Sequence, residues 1–433
     1  MSPGETPRRG FNGSVPGPTL RIRPGDTLAI TLDNALDRPT NLHTHGLHVS
    51  PEGNSDNPFR MVAAGKWADY DIVVPADHPT GTFWYHPHHH GMVAEQVFNG
   101  LLGAIIVADD HEPDVDRDRV MIVSDTTLTS DGQVPASHME VMQGREGQLV
   151  LINGVVNPRI ELSPGTIEGW RMLNACTSRY LDISLDGHTL GLLGRDGQGL
   201  TAARDIEHLF MPPGSRADLL VRALADGTYA VRTTSVDRIR PGQGMGMGMG
   251  MDGSQLSRAM VLATVAVTSN PASTSSAATP ASAARPTGAS GWPDWDRSLR
   301  DLTGAGVDAQ RRVTFTMGMG GTGGGMFEID GRVFDPQRVD VSARLGTVEE
   351  WTIANTSVMD HPFHLHVWPF QVTDAPDHDP GGPPDWRDVI NVPAAGQVTV
   401  RVPIETYAGT TVYHCHILDH EDLGMMGMIR VTA

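Results

Sequence analysis

A chain of 433 residues, at roughly 150 residues per domain, suggests about three domains. Its formal net charge of −19 argues against a nucleic-acid partner or an anionic membrane surface, both of which take a basic face. The longest apolar run, at residues 100–108, is too short to span a bilayer, which takes ~20 apolar residues, and no leader is visible at Met1.

In chain order, a strand pattern comes first. "PGDTLAITLDN" (residues 24–34) alternates apolar and polar positions after a turn, which reads as a strand. It recurs as "PGTIEGWRMLN" (164–174) and "LGTVEEWTIAN" (345–355). Each copy places a glycine nine residues before an asparagine: Gly25 and Asn34, Gly165 and Asn174, Gly346 and Asn355. A second strand follows each copy, "GTFWYH" from Gly81, "GTYAVR" from Gly227 and "GTTVYH" from Gly409. Three related units of short strands with Gly/Pro turns predict an all-β chain of three Greek-key β-sandwich domains. The expected boundaries are 1–110, 111–268 and 301–433, with a linker at 269–300 whose Ser/Ala/Thr/Pro-rich part, residues 269–290, stays out of the core. No long helix is expected.

Four His-x-His pairs punctuate this repeat: His43/His45 in "HTHG", His86/His88 in "WYHPHHHG", His364/His366 in "HPFHLH" and His414/His416 in "HCH". On a strand, residues i and i+2 face the same way, so each pair presents two imidazoles on one face. One such pair is weak evidence; four at related places are not. His43 and His45 lie nine and eleven residues after Asn34, as His364 and His366 do after Asn355. The middle unit has Ile183 and Leu185 there, and Arg232 where the others have His86 and His414. Units one and three are therefore expected to face each other around eight imidazoles, with the middle unit a spacer plus whatever its loops contribute. Eight exceed the needs of one ion and suit two or three, as two, three and three.

Cys415 sits between His414 and His416, so its side chain must face the opposite way, into the third sandwich. His361 and His420 remain outside the four pairs, and Met425 lies ten residues after Cys415. Two imidazoles, a thiolate and a weak thioether make a blue-copper electron-transfer set; zinc is the main rival. If Cys415 holds a metal, the other cysteine, Cys176, has no disulfide partner and reads as a small buried hydrophobe. Two methionine-glycine stretches, 244–251 and 317–326, read either as Cu(I)-gathering loops or as flexible cover for a pocket. The remaining histidines, His48, His78, His89, His90, His111, His138, His188, His208 and His378, read as ordinary residues.

Over nearly its whole length the chain resembles the multicopper oxidases, specifically bacterial three-domain laccase-like enzymes. The motifs "HTHG", "WYHPHHHG", "HPFHLH" and "HCHILDHEDLGMM" carry the likeness. The resemblance implies three cupredoxin-like domains and four copper ions. His361, Cys415, His420 and Met425 would hold the type 1 copper; His43 and His364 the type 2; His45, His86 and His416 one type 3 copper; His88, His366 and His414 the other. It also implies one-electron oxidation of phenols, aromatic amines or metal ions such as Cu(I), coupled to four-electron reduction of dioxygen to water. Glu421 and Asp56 resemble acids that relay protons to the cluster; their plainer readings are a solvated charge and an Asx-turn. Met425 would lower the type 1 potential relative to fungal laccases that have a non-coordinating residue there. The donor pocket is expected at the surface near His361 and His420. A monomer that acts without nucleic acid or membrane, periplasmic or secreted after loss of a leader, completes the expectation. The alternatives are a cuprous oxidase of copper tolerance, a copper-storage protein without turnover and, ranked low, a copper nitrite reductase.

Overall fold

The computed structural model describes residues 9–129, 132–133, 136–239, 256–269, 292–293, 299–318 and 325–433. The methionine run at 244–251, most of the 269–300 stretch and the middle of 317–326 lie outside the described residues. Each of the three repeat strands, Thr27–Asp33, Ile167–Asn174 and Thr347–Asn355, sits in a β-sandwich with its own apolar core. In the third unit a six-stranded sheet faces a five-stranded one that contains His361–Leu365 and Gly409–Cys415. The middle unit repeats the six-plus-five arrangement, and the first packs four strands on two.

The repeated Gly and Asn each do the same job three times. Gly25, Gly165 and Gly346 take φ of +91°, +78° and +83°, a left-handed turn that side-chain-bearing residues resist. Asn355 donates from Nδ2 to the carbonyls of Met359 (2.8 Å) and Val392 (3.1 Å) and accepts at Oδ1 from the amide of Ser357 (2.9 Å). Asn174 bonds Arg179, Met211 and Cys176, and Asn34 bonds Arg38, Val62 and Leu36, in the same pattern. A side-chain amide thus satisfies three backbone groups where the chain leaves the sheet, which would otherwise be buried without partners.

Three one-turn to two-turn helices occur among the described residues: α1 (Val93–Phe98), α2 (His138–Gln143) and α3 (Leu418–Asp422). They join the units. Met142 of α2 and Ile239, both from the middle unit, are buried in the third unit's core. Trp84, Val93, Ile122, Leu173 and Leu418, drawn from all three units, form a shared core between them. Beyond the Ser/Ala/Thr/Pro-rich part of the linker, Trp292 is buried against Ile167, Leu193 and Leu220 and donates its Nε1–H to Asp205 (2.6 Å), which anchors that point of the chain to the middle unit.

Candidate metal centres

Strand pairing brings the motif residues together. His43 lies opposite His86 on neighbouring antiparallel strands; His364 lies opposite His414, and Phe363 opposite Cys415. Side chains directly across a ladder share a face. Phe363 is core, so Cys415 is turned into the core with it, while His364 and His414 turn away together. Only His43/His45 lies wholly within one strand. In the other pairs the second histidine is just past the strand end, yet it still converges with the first.

Cys415, His361 and His420 form one buried group. The Cys415 Sγ is 3.4 Å from His361 Nδ1 and 4.0 Å from His420 Nδ1, and the two Nδ1 atoms are 3.3 Å apart. The outer nitrogens fix the rings: His361 Nε2 bonds Ser357 Oγ (2.9 Å), and His420 Nε2 donates to the Met142 carbonyl (3.2 Å). With each Nε2 so engaged, both Nδ1 lone pairs are left facing the sulfur, the arrangement that an outer partner imposes on a metal-binding histidine. Phe327 stacks on His420 at 4.1 Å, and Met425 is buried in the same core. Both His361 and His420 are fully buried. Burial lowers the proton affinity of His361 to about 3 and pushes the Cys415 thiol up. Two neutral imidazoles and a desolvated thiol are what a cation, which restores the thiolate, would find favourable.

On the other face the eight imidazoles of units one and three converge, all buried. His45 stacks on His364 with ring centroids 3.8 Å apart, and His43 on His366 at 4.0 Å. His88, His366 and His414 form a close trio, with the Nε2 atoms of His88 and His366 each 3.2 Å from His414 Nε2. His43 groups with His364 and His366, and His45 and His86 group with His43. His416 stands slightly apart, its ring 5.0 Å from that of His45, and neither of its nitrogens has a partner among the described residues. Gly214 of the middle unit backs it; a Cβ there would come within 2.8 Å of the imidazole.

Outer contacts again set the tautomers. The Nδ1–H groups of His86, His364 and His414 point at the carbonyls of Pro87 (2.8 Å), Asp388 (2.8 Å) and Cys415 (3.0 Å). His43 Nδ1 meets both oxygens of Asp56 at 3.0 Å. The Nε2 atoms of His43, His86 and His364 then have no partner among the described residues. Desolvation keeps these rings neutral, with neighbouring imidazoles adding to it at His43, His86 and His364; His86 is lowered to about 3 and His414 to about 4. Several inward lone pairs without donors fit metal ions and fit no proton network.

Two acids flank this cluster. Burial raises Asp56 to about 7. Burial also raises Glu421, which follows His420; its oxygens approach His88 Nε2 (3.4 Å) and His414 Nδ1 (3.3 Å) without a hydrogen bond to either. A fully buried acid with two unbonded oxygens is not the solvated charge of the plainer reading.

Sequence reasoning missed the middle unit's part. Asp388 Oδ1 lies 3.3 Å from His45 Nε2, and Arg216 clamps Asp388 with two 2.6 Å bonds. Since burial keeps His45 neutral, that contact is a hydrogen bond and no ion pair. Asp196 supports the clamp, accepting from the Arg216 and Asp388 amides. At the cysteine site Arg145 binds Asp419, the neighbour of His420, from its amide (2.9 Å) and guanidinium (2.5 Å). The ligand-free unit therefore braces both centres. None of the nine remaining histidines joins a metal-binding group among the described residues.

Three family models described as multicopper oxidase match residues 2–112, 117–249 and 304–433. The fold superposes on a multicopper oxidase from Campylobacter jejuni, described as a metallo-oxidase, with a TM-score of 0.80 and 30% identity, covering 98% of this chain and 86% of that one. Curated relatives include multicopper oxidase mco of Staphylococcus haemolyticus, 29% identical over 98% of this chain and 83% of its own length. They also include the cell division protein FtsP of Escherichia coli, 28% identical over 98% and 85%. The three sandwiches are cupredoxin-like, as in these neighbours.

Proposed function

Because the chain belongs to the multicopper oxidase family, we propose that its two candidate centres are the electron inlet and the oxygen-reducing site of one enzyme. It is a laccase-like, copper-dependent oxidoreductase that uses dioxygen. Four coppers are proposed: one held by His361, Cys415, His420 and Met425; one by His43 and His364; and two by His45, His86 and His416 and by His88, His366 and His414. Copper bound there supplies the one-electron steps that a four-electron reduction of dioxygen to water needs.

One observation carries the reading. Cys415 lies in the core beside His361 and His420, while its chain neighbours His414 and His416 lie in the imidazole cluster. A single tripeptide is covalently continuous between the two centres. Glu421 is proposed to hold and deliver protons beside His88 and His414. Asp56 is proposed to orient His43 and to serve as a second proton source. Proton delivery is needed because reduction to water consumes protons.

Proposed donors are phenols, aromatic amines or metal ions, with Cu(I) favoured by the metallo-oxidase description of the Campylobacter jejuni relative. A self-sufficient monomer, periplasmic or secreted, is proposed from the family resemblance; no helix among the described residues is long and apolar enough to cross a membrane. Oxygen uptake by the copper-loaded protein, with Cu(I) and separately with a phenol, tests the proposal. Uptake with either donor supports it. Copper retention without uptake would instead show a binding protein. In Glu421→Gln, re-oxidation of the reduced enzyme by dioxygen is expected to slow, roughly 10²-fold or more as for a lost acid. Reduction of the blue centre by donor stays unchanged; slower reduction there would refute the relay role.

A further inference from the structure

Arg238 of the middle unit is fully buried, and its Nε and Nη1 have no hydrogen-bond partner among the described residues. Leaving guanidinium donors dry and unpaired costs stability, so the position needs a reason. Nη2 alone is engaged, with Glu146 Oε1 at 3.2 Å. Glu146 is shared: it accepts from the Ser257 amide (2.7 Å) and hydroxyl (2.8 Å) and pairs with Arg179 (3.0 Å), which in turn pairs with Asp125 (3.0 Å). Two acids and two bases thus alternate in a buried row, and Arg238 is its end.

That end abuts the cysteine centre. The Arg238 carbonyl accepts from the amide of Asp360 (2.8 Å), the residue before His361, and Ile239 forms a bridge with Met359. Glu146 follows Arg145, which grips Asp419 beside His420. The guanidinium also stands over the Tyr180 ring at 5.6 Å.

We propose that the Arg238–Glu146 pair sets the reduction potential of the type 1 centre, the Arg238 charge raising it and the Glu146 charge lowering it. This rests on the copper assignment above. On gaining one electron the centre loses one unit of positive charge, so a fixed cation nearby favours the reduced form and a fixed anion the oxidised form. In a dry interior that bias is weakly screened. Arg238 acts here through the field it places on the ligands.

The test is a redox titration of the blue band in the copper-loaded enzyme, with Arg238→Met, Arg238→Lys, Glu146→Gln and the Arg238→Met/Glu146→Gln double variant. Arg238→Met should lower the potential, by on the order of tenfold in the one-electron equilibrium, about 59 mV. Arg238→Lys should hold near wild type. Glu146→Gln should raise the potential, and the double variant should return toward wild type. A purely structural role would move both single variants the same way or leave the potential unmoved, and either result overturns the proposal. If Arg238→Met does not fold, Glu146→Gln still decides, since an unchanged or lowered potential refutes it. A wild-type protein that forms no blue centre would refute the copper assignment instead.

Discussion

Single side chains here work mainly by excluding or neutralising charge. His78 is a clear case away from the copper ligands. Its Nε2 accepts from the His48 amide (3.0 Å) and its Nδ1–H donates to the Pro79 carbonyl (2.7 Å), so it must stay neutral. Burial lowers it from 6.5 to about 4. Below 6.5 the unfolded chain takes up a proton that the folded chain refuses. The contribution is therefore complete above about pH 6.5 and is lost as pH falls toward 4. His78→Gln can keep both bonds without titrating. Thermal unfolding of the variant should fall less steeply than wild type between pH 7 and 4.5; parallel curves would contradict the assignment. Arg216 makes the opposite demand. Replacing it by Met leaves Asp388 buried without its bidentate partner, at an expected cost of about 3–5 kcal/mol in guanidinium unfolding. A loss below about 1 kcal/mol would mean that the pair is not the brace described above.

At the level of elements, the repeat explains why the chain has three sandwiches although only two carry the proposed ligands. The Gly turn and the Asn that ties strand end to loop are architectural, and they are present in the middle unit, which lacks the paired histidines. Asn174→Ala removes three buried hydrogen bonds and should cost about 2–4 kcal/mol, from roughly 1 kcal/mol per bond plus the groups left unpaired. Chemical denaturation of the copper-loaded protein would show it, with the blue absorbance of the folded enzyme unaltered. If Asn174→Ala is neutral, the repeated Asn serves something other than the turn. The short helices play a different part. Asp422 of α3 accepts from the amides of Val93 and Ala94 at the start of α1, and α2 lends its Met142 carbonyl to His420. Each joins one unit to the ligand loop of another.

For the whole molecule, the charge of −19 sits around a core whose functional groups are neutral or paired. Long-range attraction should therefore favour cationic donors. The second-order rate for Cu(I) or a cationic amine should fall as ionic strength rises from 0.01 to 0.15 M, where the screening length shrinks from about 30 to about 8 Å. An anionic donor should show the reverse trend; no salt dependence with either would remove steering from the account. The larger lesson concerns what could be read from residues alone. The strand repeat, the sandwich class and the four histidine pairs were legible because they follow local rules: a period of two along a strand and a fixed distance from a turn. The turning of Cys415 away from its two neighbours follows from the same period. The partners that tune these residues were not legible. Arg216 and Asp388 stand 172 positions apart, and Arg145 and Asp419 stand 274 apart, with no periodic signal linking them. Which imidazoles group together, how deeply His361 and His420 are buried, and where Arg238 is left unpaired depend on how three sandwiches pack. The amino-acid sequence by itself determined the fold class and the set of candidate metal-binding side chains, because those depend on local strand geometry. Only the tertiary structure decided their grouping, their protonation and their bracing by the middle unit, because desolvation and ion pairing are set by what lies across an interface.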